Sequence, residues 1–287
     1  MKKAEAVARL IRPINCMVMG FAVIVGIIVV TPSFSMERNE AIRAVLGFVT
    51  GFTFLATANV INDYYDREID AVNEPNRPIP SGIVRPREAL SYASVLSITG
   101  FVAALLTNWE CLVLATMSWI LLLYYSTRGK RTGLLGNFIV SACISLPFIY
   151  GGFAVERGLS LVLMLFSAMA FLSNTGREIT KGIVDIEGDK LRNVKTVAVL
   201  WGSKTAAVAA SSFYGASVIL SSFPWFLGEV SAFYLPLVAL ADVGFIFSSL
   251  ALLQDYSREN ARRVKNLVRV WMVIGLLAFV AGKFSWK

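Results

Sequence analysis

Histidine is absent from the 287-residue sequence, and charged residues are scarce at 16% of the chain. Without imidazole, any catalysis has to use carboxylates, amines, guanidinium groups, phenols or a metal. The three cysteines, Cys16, Cys111 and Cys143, show neither CxxC spacing nor a pairing pattern. That excludes a disulfide scaffold and a cysteine-based metal site. A soluble domain carries about 25% charged residues, so the scarcity of charge also argues against a soluble fold.

Long uncharged runs make up most of the chain, which is 56% hydrophobic with a mean hydropathy of +0.65. A helix needs about 20 apolar residues to cross a bilayer core. Such runs cover approximately residues 14–30, 41–62, 89–107, 110–126, 134–154, 159–175, 206–224, 231–253 and 266–284. We therefore expect an all-α membrane protein, a bundle of nine transmembrane helices, located in the cell membrane.

The formal net charge of +8 has its best explanation in membrane topology rather than in nucleic-acid binding. Twenty-two lysines and arginines lie on or beside the N-terminus and the segments after the second, fourth, sixth and eighth spans, against five on the opposite side. Positive charge marks the cytoplasmic side. The N-terminus and two long connecting loops, 63–88 and 176–205, are therefore predicted to be cytoplasmic.

The two long loops carry acidic residues at matching offsets. Asp66 and Asp185 are 119 residues apart, as are Asp70 and Asp189. This spacing favours one domain over 1–287 built from two related halves, spans one to four and five to eight, with a ninth span added.

The first acidic cluster consists of Asn59, Asn62, Asp63, Asp66 and Asp70. At helical spacing these side chains share one face at the cytoplasmic end of the second span. Mg²⁺ prefers such hard oxygen ligands and binds through a few carboxylates plus a substrate phosphate. The alternative is a solvated helix end, although acids at a helix C-terminus oppose the macrodipole.

The second acidic cluster consists of Arg177, Glu178, Lys181, Asp185 and Asp189. Its last four members are predicted to lie on one helical stripe. Taken alone, it is equally well explained as an ordinary charged segment with i,i+4 pairs. Facing the first cluster, it could hold Mg²⁺ ions that neutralise a departing diphosphate.

Basic residues near the clusters could bind phosphate oxygens. Arg67 and Arg77 can do so bidentately, and Lys130 can act as a point charge. Positive-inside topology is the favoured explanation for Arg128 and Arg131, whereas for Lys130 both interpretations stay open.

These motifs together resemble the UbiA superfamily of intramembrane prenyltransferases. The resemblance rests on Asn59-x-x-Asn62-Asp63-x-x-Asp66-x-x-x-Asp70, Asn76-Arg77-Pro78 and Asp185-x-x-x-Asp189, and it covers essentially the whole chain. It implies a helical bundle with a central cavity, cytoplasmic cap loops and two acidic motifs that bind Mg²⁺ and an isoprenyl diphosphate.

Matched by position, the resemblance gives each site residue an expected role. Asp66, Asp185 and Lys130 are expected to be catalytic. The metal ligands would be Asn62, Asp66, Asp70, Asp185 and Asp189. Substrate contacts would come from Asn15, Asn59, Arg67, Arg77, Tyr124, Tyr125, Lys130 and Lys181, the two tyrosines as cation-facing phenols.

Residues 73–82 and 176–189 look most like the archaeal members that form the second ether bond of membrane lipids. This implies geranylgeranyl transfer from a diphosphate to a lipid-like acceptor, with membrane lipids and no nucleic acid as partners. An aromatic-acceptor prenyltransferase, a CDP-alcohol phosphotransferase and a cation transporter are the alternatives. Only Asp242 lies inside a span as a transporter would require, and the phosphotransferase motif needs glycine where this chain has Arg67.

Overall fold

The computed structural model describes residues 2–31, 37–191 and 193–284, and within these ranges it contains helices joined by short turns. The helices are α1 (Lys3–Ile11), α2 (Pro13–Val30), α3 (Arg38–Asn73), α4 (Pro86–Thr107), α5 (Trp109–Thr127), α6 (Leu134–Ala154), α7 (Leu161–Val184), α8 (Ile186–Leu191), α9 (Val197–Ser221), α10 (Phe223–Phe226), α11 (Tyr234–Gln254) and α12 (Arg258–Ala281). A single 3₁₀ turn, Gly129–Arg131, separates α5 from α6.

Eight helices in the described ranges are long and apolar enough to cross a membrane, so the chain is a multi-pass membrane protein. They are α2, α3, α4, α5, α6, α9, α11 and α12. Helix α7 has sufficient length, at 24 residues, but its second half carries buried polar side chains from Ser173 to Thr180. Those side chains need partners inside the protein, and this half of α7 is therefore packed among other helices rather than exposed to lipid.

Two helices continue well past the predicted span ends. Helix α3 has 36 residues and is about 54 Å long, against a hydrocarbon core of roughly 30 Å. Helix α7 continues to Val184, nine residues beyond the predicted end. The prediction of long loops at 63–88 and 176–205 is therefore wrong for much of both segments: polar residues extend the helices because their backbone hydrogen bonds do not need an apolar sequence.

Helices α2 and α6 pack with their backbones in close contact. A Cβ at Gly26 would overlap the carbonyl oxygen of Phe148, and a Cβ at Gly151 would overlap that of Val23. Glycine is required at both positions because any side chain would force the two helices apart. This glycine seam joins the first helix of each predicted half.

A sharp corner precedes the first spanning helix. Arg12 adopts a left-handed conformation (φ 58°) between α1 and α2. Ala6 and Leu10 of α1 are fully buried against Val60 of α3, together with Ile79 and other residues of the following segment. Helix α1 and the α3–α4 connection thereby form one packed layer over the end of α3.

A small, mainly apolar cavity of about 40 Å³ lies between α2, α3, α5 and α6. Its lining residues are Met19, Val23, Thr50, Gly51, Phe54, Leu55, Ala115, Ser118, Leu122, Cys143, Leu146, Pro147 and Tyr150. Phe54 precedes Asp66 by twelve residues, which is about 18 Å along α3. The cavity therefore lies deep in the bundle, below the first acidic cluster.

Candidate active site

The first acidic cluster lies on α3, as its spacing predicts. Asp63 is its most enclosed carboxylate, with 5% of its side chain exposed. Arg12 Nη2 donates to Asp63 Oδ1 at 2.6 Å, and Arg77 Nη1 lies 3.6 Å from the same oxygen. Asp63 thus binds both the α1–α2 corner and the α3–α4 connection.

Arg77 is the second bridging residue of this network. Its Nη1 donates to Asp70 Oδ2 at 2.7 Å, and its Nε lies 3.9 Å from Glu74. Burial lowers the pKa of the Arg77 guanidinium, but Asp63 and Asp70 more than offset this and raise its pKa above the usual value. Arg77 is therefore positively charged at every physiological pH.

The two predicted asparagine contacts have different surroundings. Asn59 is buried, and its Nδ2 donates to the Ile11 carbonyl at 2.8 Å. Asn15, in the first turn of α2, is exposed. Asn59 therefore holds the α1–α2 corner against α3, whereas the Asn15 side chain is accessible to a ligand.

The second acidic cluster begins on α7. Glu178 is buried and accepts from Arg177 Nη1 at 2.8 Å and from Lys181 Nζ at 3.3 Å. Asp185 is exposed and ends the helix, and Asp189 follows on α8 with its backbone N–H donating to the Asp185 carbonyl at 2.8 Å. The predicted continuous stripe is therefore interrupted at Asp185, because α7 stops there.

Tyr125 connects the two clusters. It lies on the last turns of α5 and is within electrostatic range of Lys181 and Glu178 on α7 and of Asp66 on α3. Tyr124 is 41% exposed, and its ring lies against Gly129. Of the two predicted phenols, Tyr125 is the one whose electrostatic neighbours include residues of both acidic motifs.

The remaining two predicted phosphate contacts are Arg67 and Lys130. Arg67 donates to the Tyr64 carbonyl at 2.8 Å and its guanidinium lies 4.6 Å from the centroid of the Tyr64 ring. The backbone of Lys130 lies in the Gly129–Arg131 turn, and its side chain is outside the described part of the structure.

The donor set suits Mg²⁺ bound together with a substrate phosphate. Asn62, Asp66 and Asp189 are partly buried, and Asp185 is exposed. Within the described residues, no three acidic or cysteine side chains come close enough to hold a metal ion by themselves. Mg²⁺ commonly keeps several waters and takes only one or two carboxylates plus substrate oxygens, so this arrangement fits a metal that arrives with a diphosphate.

Two charges at the site have neighbours that local spacing does not predict. Asp63, a member of the first acidic cluster, binds Arg12. Lys265 of α12 is one of the basic residues that indicate topology, and it is also an electrostatic neighbour of Asp185. The signal that could have identified it is the i,i+4 spacing of Lys265 and Arg269 at the start of an apolar run.

Comparison with known proteins identifies the family. The model of the UbiA prenyltransferase family matches residues 15–277. The chain belongs to the UbiA prenyltransferase family. It is therefore a prenyltransferase, which rules out the cation transporter and the CDP-alcohol phosphotransferase.

Similar UbiA relatives are archaeal lipid enzymes. The digeranylgeranylglyceryl phosphate synthase of Archaeoglobus fulgidus is 36% identical over 284 residues, covering 98% of this chain and 96% of the relative. That of Methanopyrus kandleri is 37% identical over 278 residues, covering 96% and 98%.

Solved structures agree with this assignment. A digeranylgeranylglyceryl phosphate synthase structure has a TM-score of 0.83 at 33% identity and covers 99% of both chains. An Archaeoglobus fulgidus UbiA homologue bound to GPP and Mg²⁺ has a TM-score of 0.68 at 19% identity, covering 96% of this chain and 99% of that one. The second comparison shows a shared fold.

Asp242 lies apart from the acidic clusters. It accepts from Ser221 Oγ at 2.7 Å, and the Ser221 carbonyl accepts from Tyr234 at 2.8 Å. These bonds join α11 to the end of α9, so the structure gives Asp242 a place in helix packing.

Proposed function

We propose that this UbiA prenyltransferase moves a geranylgeranyl group from geranylgeranyl diphosphate to the free hydroxyl of geranylgeranylglyceryl phosphate. The observation that carries the proposal is that Tyr125 has electrostatic neighbours both in Asp66 of α3 and in the charged residues of α7. Both acidic motifs would then face one cleft at one end of an apolar bundle. The similarity to archaeal digeranylgeranylglyceryl phosphate synthases over nearly the whole chain supports the lipid acceptor.

Donor binding uses both acidic clusters. Asn62, Asp66, Asp70, Asp185 and Asp189 would hold Mg²⁺, which when bound neutralises charge on the diphosphate. In the absence of metal, the hydrogen bond from Arg77 Nη1 to Asp70 Oδ2, at 2.7 Å, keeps the Asp70 carboxylate in place.

Cationic side chains complete the donor site. Arg77, Lys130 and Lys181 would stabilise the negative charge that develops as the bond between C1 and oxygen breaks and the diphosphate leaves with the electron pair. The Tyr125 ring face can stabilise the allylic cation. A packed layer of α1 and the α3–α4 connection limits access of water to that cation.

Transfer is completed by the acceptor. Its hydroxyl oxygen forms the new bond to C1, and the hydroxyl proton passes to a carboxylate or to the departing diphosphate. The lining of the cavity about 18 Å below Asp66 along α3 is apolar like a prenyl tail, and its volume of about 40 Å³ would hold only part of that tail.

We also propose nine membrane spans, with α7 as the ninth besides the eight apolar helices. The N-terminus and both acidic clusters are then cytoplasmic, as the surplus of lysine and arginine on that side indicates.

The decisive assay uses purified protein in lipid with radiolabelled geranylgeranyl diphosphate and Mg²⁺. Geranylgeranylglyceryl phosphate and 4-hydroxybenzoate are supplied separately as acceptors. We expect label in the diether lipid product, loss of turnover with EDTA and recovery with added Mg²⁺. Prenylation of 4-hydroxybenzoate alone would instead identify an aromatic-acceptor enzyme.

A further inference from the structure

Helix α12 places a lysine beside the charged part of α7. Val264 and Val268 are fully buried in the core formed by α7, α9, α11 and α12, so the intervening Lys265 has a fixed position on the helix. Lys265 is half-buried, and among the described residues it forms no ion pair or hydrogen bond. A half-buried ammonium group without a partner is costly unless an anion binds there.

Positive charge is in excess around Lys265. Its electrostatic neighbours include the cations Arg177, Lys181 and Arg269, whereas its acidic neighbours are Glu178 and Asp185. Glu178 is already bonded to Arg177 and Lys181. The local charge is therefore positive even when both acids are ionised.

Arg177 provides an independent sign of a missing anionic partner. Its side chain is 17% exposed, and its Nε atom is buried without a hydrogen-bond partner within the described residues. An unsatisfied buried donor costs about 1–3 kcal/mol. An anion that accepted from this guanidinium would remove that cost.

We infer that Arg177 and Lys265 form a binding site for the phosphomonoester of the lipid acceptor. This inference rests on the proposed function, in which donor and acceptor both carry phosphate groups. The two anions repel each other and need separate sites. Tyr125 and Asp66 mark the donor side of α7, whereas Lys265 comes from α12, which packs on α7 through Val264 and Val268.

The kinetic test compares three variants of one helix. Lys265→Gln is expected to raise the KM for geranylgeranylglyceryl phosphate about tenfold, the loss of one charge-assisted hydrogen bond, with the KM for geranylgeranyl diphosphate unchanged. Lys265→Arg should restore most of the acceptor affinity. Arg263→Gln is the matched control, because Arg263 is exposed on the opposite face of α12 and pairs only with Glu259 within the described residues.

An unchanged acceptor KM in Lys265→Gln would overturn the inference, and so would a raised KM for the diphosphate donor alone. The second result would assign Lys265 to the donor site.

A binding test separates this inference from the proposed reaction. Calorimetry in EDTA compares geranylgeranylglyceryl phosphate with geranylgeranylglycerol, which lacks the phosphate. We expect wild type to bind the phosphorylated lipid at least tenfold more tightly and Lys265→Gln to lose most of that preference. Equal affinity of wild type for both lipids would overturn the site. Transfer to 4-hydroxybenzoate alone would overturn the proposed function, while the calorimetric result would still decide the site.

Discussion

Asp63 performs a different task from the acids that surround it in the first cluster. It is nearly fully buried and contacts Arg12 on one side and Arg77 on the other. A buried carboxylate held by two guanidinium groups is stable only while both remain in place. We therefore assign Asp63 to positioning of the layer formed by α1 and the α3–α4 connection rather than to metal binding.

Replacing Asp63 with asparagine should loosen this layer. We expect Asp63→Asn to lower stability by about 2 kcal/mol, less than for a fully buried pair because both arginines are about one-third exposed. Thermal unfolding in detergent measures the change, and hydrogen exchange should increase first in α1 and the α3–α4 connection. Glu68→Gln, whose side chain is 85% exposed, serves as the control and should shift stability by less than about 0.5 kcal/mol. Equal shifts in the two variants would contradict the positioning role.

Replacing the acids proposed as metal ligands should lower activity and leave stability unchanged. Asp66→Ala and Asp185→Ala are expected to reduce turnover at least about 100-fold, the scale seen when transition-state charge stabilisation is removed. Folding should be preserved because neither side chain is fully buried. Activity assays and size-exclusion chromatography check both parts.

Glu187→Gln gives a control next to Asp185, since Glu187 is 84% exposed. Retained activity in either alanine variant would remove that aspartate from the metal site.

At the scale of whole helices, the glycine seam between α2 and α6 determines how closely the bundle packs. Gly26→Ala should destabilise the protein by about 1–3 kcal/mol, because the added methyl group overlaps the Phe148 carbonyl. Gly215→Ala in α9 meets no atom within 4 Å and should be neutral or stabilising by up to about 1 kcal/mol. Melting temperatures of the two variants provide the measurement. A neutral Gly26→Ala would mean that α2 and α6 can separate without cost.

Apolar runs predicted the spanning helices well where the whole helix is apolar, because lipid and the protein interior both favour apolar side chains. Predicted runs 14–30, 89–107, 110–126 and 134–154 agree within three residues at each end with α2, α4, α5 and α6. Helices α3, α7 and α12 extend further than predicted. Hydropathy indicates which part of a helix lies in an apolar environment. The helix itself begins and ends at capping residues, such as Ser257 at the start of α12 and Asp185 at the end of α7.

Site residues were predictable to the extent that local spacing determined them. The periodicity of the first acidic cluster placed its members on one helix. The contact of Asp63 with Arg12 joins residues 51 positions apart, and the approach of Lys265 to Arg177 depends on packing of α12 against α7. Such pairs form only when distant segments pack together, so the helical spacing of residues within one segment cannot predict them.

For the whole molecule, two related halves in one domain stay a prediction. Helix α2 packs on α3 and α3 on α4, while α6 packs on α7 and α7 on α9. The first acidic cluster lies on α3 and the second begins on α7, the second helix of each series. The glycine seam joins α2 to α6, the first helix of each series.

Orientation in the membrane can be measured with introduced cysteines. Cys16, Cys111 and Cys143 are all buried, so they should react little with reagents in the folded protein. All three positions chosen are exposed on the protein surface. In intact cells, an impermeant maleimide should label Arg157→Cys but neither Ala4→Cys nor Glu187→Cys. After lysis, the reagent should label all three variants. Labelling of Ala4→Cys before lysis would reverse the proposed topology.

The length of α3 has a consequence for how the enzyme meets its lipids. In the proposed orientation this helix extends beyond the hydrocarbon core, which would place its carboxylates at the height of the phospholipid head groups. On the proposed function, neither amphiphilic substrate then needs to leave the bilayer to react. The concentration that governs the rate is then a mole fraction in a two-dimensional sheet, and adding inert lipid at constant bulk substrate should slow turnover by surface dilution.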